Sequence, residues 1–185
     1  MPSVLVTDLA AYNYGRYNSV RIIVDGDFTE DDFWNDVNKM LAESPISHAE
    51  EWEIHDYEGW GLDPRDFDKS EWGLLAQLAE TYTESLIDCA IQFMELKDVE
   101  MIADNLKTVI EVNFCDKYRS EIALAQDVLY KECSDCGNEL PTIVADSLDF
   151  NLTVNFIKTH SQIYDIFTTT YGFGYYLFED FGWDD

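Results

Sequence analysis

The sequence predicts an α+β fold, an elongated array of three small domains laid end to end: an antiparallel sheet plus helix, a helical middle, and an α+β domain at the C-terminal side. Three observations carry this. Short β-branched or aromatic runs mix with helical periodicity in the first and last thirds, whereas spacings of three and four dominate the middle. No Pro-, Gly- or Ser-rich linker, internal repeat or low-complexity run divides the 185 residues, so the changes of periodicity set the boundaries, at residues 1–62, 63–107 and 108–185. Finally, 46% hydrophobic and 15% aromatic residues supply packed cores, so the strong acidity of the chain does not signal disorder.

The elements follow in order. Val4-Leu5-Val6 and Val20-Arg21-Ile22-Ile23-Val24 are β-branched runs separated by a Tyr, Asn and Gly loop over residues 12–18. Thr29 with Asp32 three residues on predicts an N-cap, after which Phe33, Val37, Met40 and Leu41 share one helical face. Ser44-Pro45 ends that helix, and residues 52–57 read as a third strand. From Ser70, a reasonable cap, Trp72, Leu75, Ala79, Tyr82, Leu86 and Cys89 predict a helix, continued in shorter pieces through Ile91, Met94, Met101, Ile102 and Leu106. The last domain is expected to hold helices near residues 118–130 and 148–158 and aromatic strands near 163–168 and 171–178.

Charge is the dominant feature: 38 acidic against 11 basic residues give a formal net charge of −27. Self-repulsion of this size destabilises a compact chain, which argues that the surplus has a use. It excludes direct nucleic-acid binding, which draws its affinity from Lys and Arg on phosphates, and docking to an anionic membrane. The densest stretch holds sixteen acids, Asp25, Asp27, Glu30, Asp31, Asp32, Asp36, Glu43, Glu50, Glu51, Glu53, Asp56, Glu58, Asp63, Asp66, Asp68 and Glu71, against only Lys39, Arg65 and Lys69. Glu80, Glu84 and Asp88 then recur every fourth residue on the expected helix, a spacing at which like charges repel. Since duplex DNA carries one charge per about 1.7 Å of axis, the net charge of the chain matches that of roughly 46 Å of duplex. An ordinary solvated acidic face, or a solubility adaptation of the halophilic kind, is the plain alternative.

Other motifs weigh less. Cys133-x-x-Cys136 before Gly137 has half the ligands of a zinc ribbon and no second pair, although Cys115 or His160 lies within reach of the idea; reduced thiols fit better. Asp25-Gly26-Asp27 opens like a calcium loop, but the sixth and twelfth positions hold Glu30 and Asp36 where Gly and Glu are required. Glu50 with Glu51, or His55 beside Asp56, offer acid–base groups, yet nothing singles out a pair with separated pKa values, and a structural His55 on a strand is the simpler expectation. There is no phosphate-binding Gly loop, G-x-S-x-G or H-E-x-x-H. No catalytic, cofactor or metal residue is therefore assigned. Trp34, Trp52, Trp60 and Trp72 read as core anchors, with an exposed position left open for Trp60 between two glycines.

The chain resembles the ArdA antirestriction proteins of conjugative plasmids, transposons and phages. Val6-Thr7-Asp8-Leu9-Ala10-Ala11-Tyr12-Asn13-Tyr14-Gly15, Met40-Leu41-Ala42-Glu43-Ser44-Pro45 and Ala49-Glu50-Glu51-Trp52-Glu53-Ile54-His55-Asp56-Tyr57-Glu58-Gly59 carry the likeness, the last most specifically. Ile163-Tyr164-Asp165-Ile166-Phe167 with Tyr171-Gly172-Phe173 looks like the family's closing hairpin; residues 131–140 and the tail from Glu179 depart from the pattern. The resemblance implies an elongated, dimeric three-domain protein whose carboxylates imitate the phosphates of bent B-form DNA. Such a protein blocks the DNA groove in the specificity and methyltransferase core of a type I restriction-modification enzyme, without chemistry or cofactor. The mimicking set is the sixteen acids above less Glu43, joined by Glu80, Glu84 and Asp88. An acidic mimic aimed at another DNA-binding protein or defence system, and a metal-dependent hydrolase, are the rival readings. No stretch reaches the roughly 18 apolar residues of a spanning helix, and the N-terminal residues lack a signal-peptide pattern. The cytoplasm of a bacterial host is the expected location.

Overall fold

The structure, a computed structural model, describes residues 1–135, 164–168 and 174–179. It is mixed α+β, with two three-stranded antiparallel sheets among the described residues. The chain groups into two compact units, Met1–Asp88 with Val99–Lys107 and Cys89–Asp98 with Thr108–Asp185.

In the first unit β1 (Ser3–Asp8) lies between β2 (Ser19–Ile23) and β3 (Trp52–Glu58). Strand alternation sends Val4, Val6, Ile22 and Ile54 to one face, where all are buried. Helix α2 (Glu30–Ala42) contributes buried Phe33, Val37 and Met40, as their spacing predicts. Its start is the expected capping box: Thr29 N–H donates to Asp32 Oδ2 at 2.9 Å, and Asp32 N–H to Thr29 Oγ1 at 3.4 Å. On the other face Leu5 stands opposite Arg21 and Asp56, and Thr7 Oγ1 meets Ser19 Oγ at 2.9 Å. A bulge between Leu5 and Val6 leaves His55 as the extra residue of β3.

A short helix, α1 (Leu9–Asn13), occupies part of what the sequence reads as loop. The helical run also departs from expectation. Ser70 is not a cap: a 3-10 turn over Lys69–Glu71 comes first, and Glu71 precedes α3 (Trp72–Thr81). Tyr82 then turns extended (φ −113, ψ 157), and Thr83 starts α4 (Glu84–Leu96), its hydroxyl accepting from Leu86 N–H at 3.3 Å. One apolar stripe thus runs across two helices. Trp60 is buried, resolving the open question, and its Nε1 donates to Ser3 O at 2.9 Å. Trp72 is fully buried against Phe28, Phe33 and Trp60, with Nε1 on Pro64 O at 3.0 Å. Trp34, by contrast, is 36% exposed at the edge of the cluster. α5 (Ala103–Thr108) buries Ala103 and Leu106.

In the second unit a π-helical turn over Val109–Asn113 leads into β4 (Phe114–Tyr118), a strand where the sequence reading has nothing before a helix at residue 118. That helix, α6, runs Glu121–Asp135. β5 (Tyr164–Thr168) and β6 (Tyr175–Glu179) form the expected aromatic pair, with β6 central in the order β4-β6-β5. Leu124 and Val128 pack with Tyr118, Tyr164 and Leu177, while Phe93, Phe114 and Phe167 group around Phe178. The helix expected over 148–158, Cys136 and the tail beyond Glu179 lie outside the described residues.

Candidate functional site

The carboxylates of the first unit ride on seven pieces of its frame. Asp25 and Asp27 occupy the turn after β2; Glu30, Asp31, Asp32 and Asp36 belong to α2; Glu50, Glu51, Glu53, Asp56 and Glu58 line β3 and its approach. Asp63, Asp66, Asp68 and Glu71 follow on the two 3-10 turns, and Glu80, Glu84 and Asp88 on α3 and α4. All are exposed except Asp63, Glu71 and Asp88, which are half-buried. The regular row of Glu80, Glu84 and Asp88 is not realised, because the break at Tyr82 and Thr83 puts Glu80 on a different helix.

Several of these groups have local work. Asp32 caps α2, and the Thr29 hydroxyl and N–H hold its carboxyl below the ordinary range. Glu30, Asp31 and Asp32 all lie in the first turn of α2, where the helix dipole favours negative charge. Glu30 accepts from Trp34 Nε1 at 2.9 Å. Glu71 accepts from Asp68 N–H at 3.0 Å and Ala103 N–H at 2.8 Å. Asp25 Oδ1 accepts from Asp27 N–H at 3.1 Å.

Three cations of this unit, Arg21, Arg65 and Lys69, are engaged by its own carboxylates and rings, while Arg16 and Lys39 stay exposed. Arg21 reaches Asp56 Oδ2 at 3.2 Å and Glu58 Oε2 at 3.5 Å. Arg65 clamps Asp63 through Nε at 2.8 and 3.1 Å and through Nη2, and lies 5.3 Å over the Tyr57 ring. This contact depresses the Asp63 carboxyl and raises the Arg65 guanidinium. Lys69 Nζ sits 5.2, 5.5 and 5.8 Å from the ring centroids of Phe33, Trp52 and Trp72. In contrast, the side chains of Asp31, Asp36, Glu50, Glu51, Asp66 and Glu80 make no hydrogen bond or ion pair among the described residues. Exposed negative charge is left over because acids far outnumber cations in this unit and three of those cations are engaged locally.

Sequence reasoning passed over two groups. Asp8 is wholly buried; burial alone would raise its pKa, but hydrogen bonds from Ser44, the Ala11 and Ala10 N–H groups and the Asn18 amide together hold it below the ordinary range. A cap signal was present, since Asp8 directly precedes Leu9-Ala10-Ala11. In the second unit Lys131 Nζ meets Glu179 Oε2 at 2.9 Å, and burial raises the neighbouring Cys115 thiol to about 11, so it is an inert thiol at neutral pH. His55 is an exposed residue of β3, with its ring edge-on to Tyr12 at 5.0 Å and its Nε2 3.6 Å from Glu53. Cys133 lies on α6, and no group of three or more His, Cys, Asp or Glu among the described residues is placed to hold a metal ion.

The family model of the antirestriction protein ArdA matches residues 4–180, nearly the whole chain. The chain belongs to the ArdA family. Comparison with curated proteins gives no match. ArdA is an antirestriction family, not one defined by an enzymatic activity, so the acidic surface of this ArdA chain belongs to a protein that counters restriction. No helix among the described residues is long and apolar enough to cross a membrane.

Proposed function

We propose that this ArdA chain acts as a mimic of B-form DNA, its carboxylates occupying the DNA groove of the specificity and methyltransferase core of a type I restriction-modification enzyme. One observation carries the reading: in the first unit Arg21, Arg65 and Lys69 are paired or enclosed while the carboxylates of Asp31, Asp36, Glu50, Glu51, Asp66 and Glu80 stay exposed and unpaired. Such a surface offers a basic cleft what phosphates offer, many anions with few competing cations. Action as a homodimer in the bacterial cytoplasm, where the target enzyme works, belongs to the same proposal.

The test is inhibition of DNA cleavage by a purified type I enzyme, with inhibitor titrated near stoichiometric amounts at several salt concentrations. An exposed ion pair is worth about 0.2–1 kcal/mol, so one Asp→Asn change shifts the half-inhibiting concentration by a few-fold at most. Neutralising Asp31, Asp36, Glu50, Glu51, Asp66 and Glu80 together is expected to weaken inhibition about tenfold or more at low salt, and less at high salt. Complete loss from one single neutralisation, or inhibition that ignores salt, counts against mimicry. Sedimentation at working concentration reads the dimer.

A further inference from the structure

Three tyrosines in the first unit are displayed where its tryptophans are mostly hidden. Tyr12, Tyr14 and Tyr17 are 58%, 75% and 80% exposed, on and just after α1. A lone exposed ring is ordinary, but three within six residues make a patch. The loop that carries them is fixed at both ends. α1 closes in a Schellman motif: Gly15 adopts φ +68, its N–H donates to Tyr12 O at 2.9 Å, and Arg16 N–H donates to Ala11 O at 2.9 Å. At the far end Asp8 N–H donates to Asn18 O, and the Asn18 amide donates to Asp8 Oδ2 and to Met40 O, each at 3.0 Å. His55 supports the first ring, Tyr12, at 5.0 Å. Such a loop is ordered before any partner arrives, which removes part of the entropic cost of docking.

Charge decides what the rings face. The first unit holds 22 acidic and six basic residues, a net of −16, and Arg16, the cation between the two most exposed rings, turns its Nη1 to Pro45 O at 3.4 Å. A second copy of this unit or an anionic bilayer would therefore be repelled. The Leu9 N–H bonds Glu51 O at 3.0 Å, so the start of α1 is tied to the segment bearing Glu50, Glu51 and Glu53. A guanidinium can lie flat on a tyrosine ring while its edge pairs with a carboxylate; an ammonium, more strongly hydrated and without a plane, gains less. We propose that Tyr14 and Tyr17 stack on arginine side chains of the basic cleft, adding to the acidic surface a contact that selects arginine over lysine. This rests on the DNA-mimic reading and deepens it.

The experiment has two arms. In the first, labelled nona-arginine and nona-lysine peptides are titrated against the full chain and against the double variant Tyr14→Ser/Tyr17→Ser, with Tyr14→Phe/Tyr17→Phe as the ring-retaining control and circular dichroism confirming the fold. Wild type is expected to prefer nona-arginine, the Ser variant to lose about five- to thirtyfold in nona-arginine affinity with nona-lysine affinity unchanged, and the Phe variant to behave as wild type. No preference in wild type, or the same preference in the Ser variant, overturns the proposal. The second arm measures inhibition of a type I enzyme by the same proteins; equal potency of wild type and Ser variant also overturns it while leaving mimicry standing. If wild type does not inhibit the enzyme at all, mimicry of its DNA fails, and the peptide arm still decides whether the rings select arginine.

Discussion

Replacing Asp8 tests how the first unit is held together. Its buried carboxylate accepts from Ala11 N–H and from the Asn18 amide, both at 3.0 Å, joining the end of β1 to α1 and to the start of β2. Asp8→Ala removes an N-cap, worth about 1 kcal/mol. It also orphans one proton of the Asn18 amide, whose other proton stays on Met40 O, at a further cost of about 1–3 kcal/mol. The expected loss is about 2–4 kcal/mol. Asp8→Asn keeps the shape and one acceptor but turns an amide toward Asn18, so it should lose less. Urea unfolding followed by tryptophan fluorescence reads mainly this unit, because four of the five tryptophans, Trp34, Trp52, Trp60 and Trp72, lie in it. The difference between wild type and Asp8→Asn should also depend on pH with a definite sign. The folded carboxyl lies below its unfolded value of about 3.9, so its contribution is fully present above that value and is lost as pH falls through the folded pKa. Taking the difference cancels the repulsion relieved when the other carboxylates protonate. A loss under about 0.5 kcal/mol for Asp8→Ala, or a difference that grows on acidification, would refute the reasoning.

Two further predictions concern the aromatic cluster. Lys69→Met should destabilise the first unit by about 1–2 kcal/mol by removing a cation shared among Phe33, Trp52 and Trp72, and Lys69→Arg by much less; thermal melts read by tryptophan fluorescence compare them. Gly73→Ala would put a Cβ 2.7 Å from Phe28 O and 3.2 Å from Gly26 O, both backbone, and should cost about 1–3 kcal/mol in urea unfolding despite the better helix propensity of alanine.

What the sequence could reveal was set by how far each signal reaches. β1, β2, β3 and α2 were legible because alternation, a Thr29–Asp32 cap and the Phe33, Val37, Met40 stripe all agree over the length of one element. α1 was not, since five residues are too short to show a period, although Asp8 marked its start. The break at Tyr82 was hidden for the opposite reason: the apolar spacing of three and four runs on from α3 into α4 through the gap, and only Thr83 betrayed it. β4 was missed where the π turn shifts the phase just before Phe114. For the acidic surface, sequence gave the exposed anions but not their pairing. Arg21 lies 35 residues from Asp56, and no local pattern announces that contact or the withdrawal of Lys69 into three rings.

The pairing pattern also explains how so acidic a unit holds its shape. Like charges four apart on a helix cost only a few tenths of a kcal/mol each, whereas burying a large aromatic side chain is worth about 3–5 kcal/mol against truncation to alanine. Fully buried Trp72 and nearly buried Trp60 therefore outweigh many surface repulsions. The carboxylates nearest the frame lower the cost further by acting as caps: Asp8 on α1, Asp32 on α2, Asp63 on the turn at Pro64–Asp66. Those acids are fixed in direction by the bonds they accept, and among the free ones Asp31 and Asp36 stand on α2 and Asp66 on the turn that Asp63 caps. A unit that spends some of its anions on stiffening itself presents the rest on a frame whose geometry is set in advance, and the proposed competition with a stiff duplex for a preformed cleft would call on that property more than on any single charge.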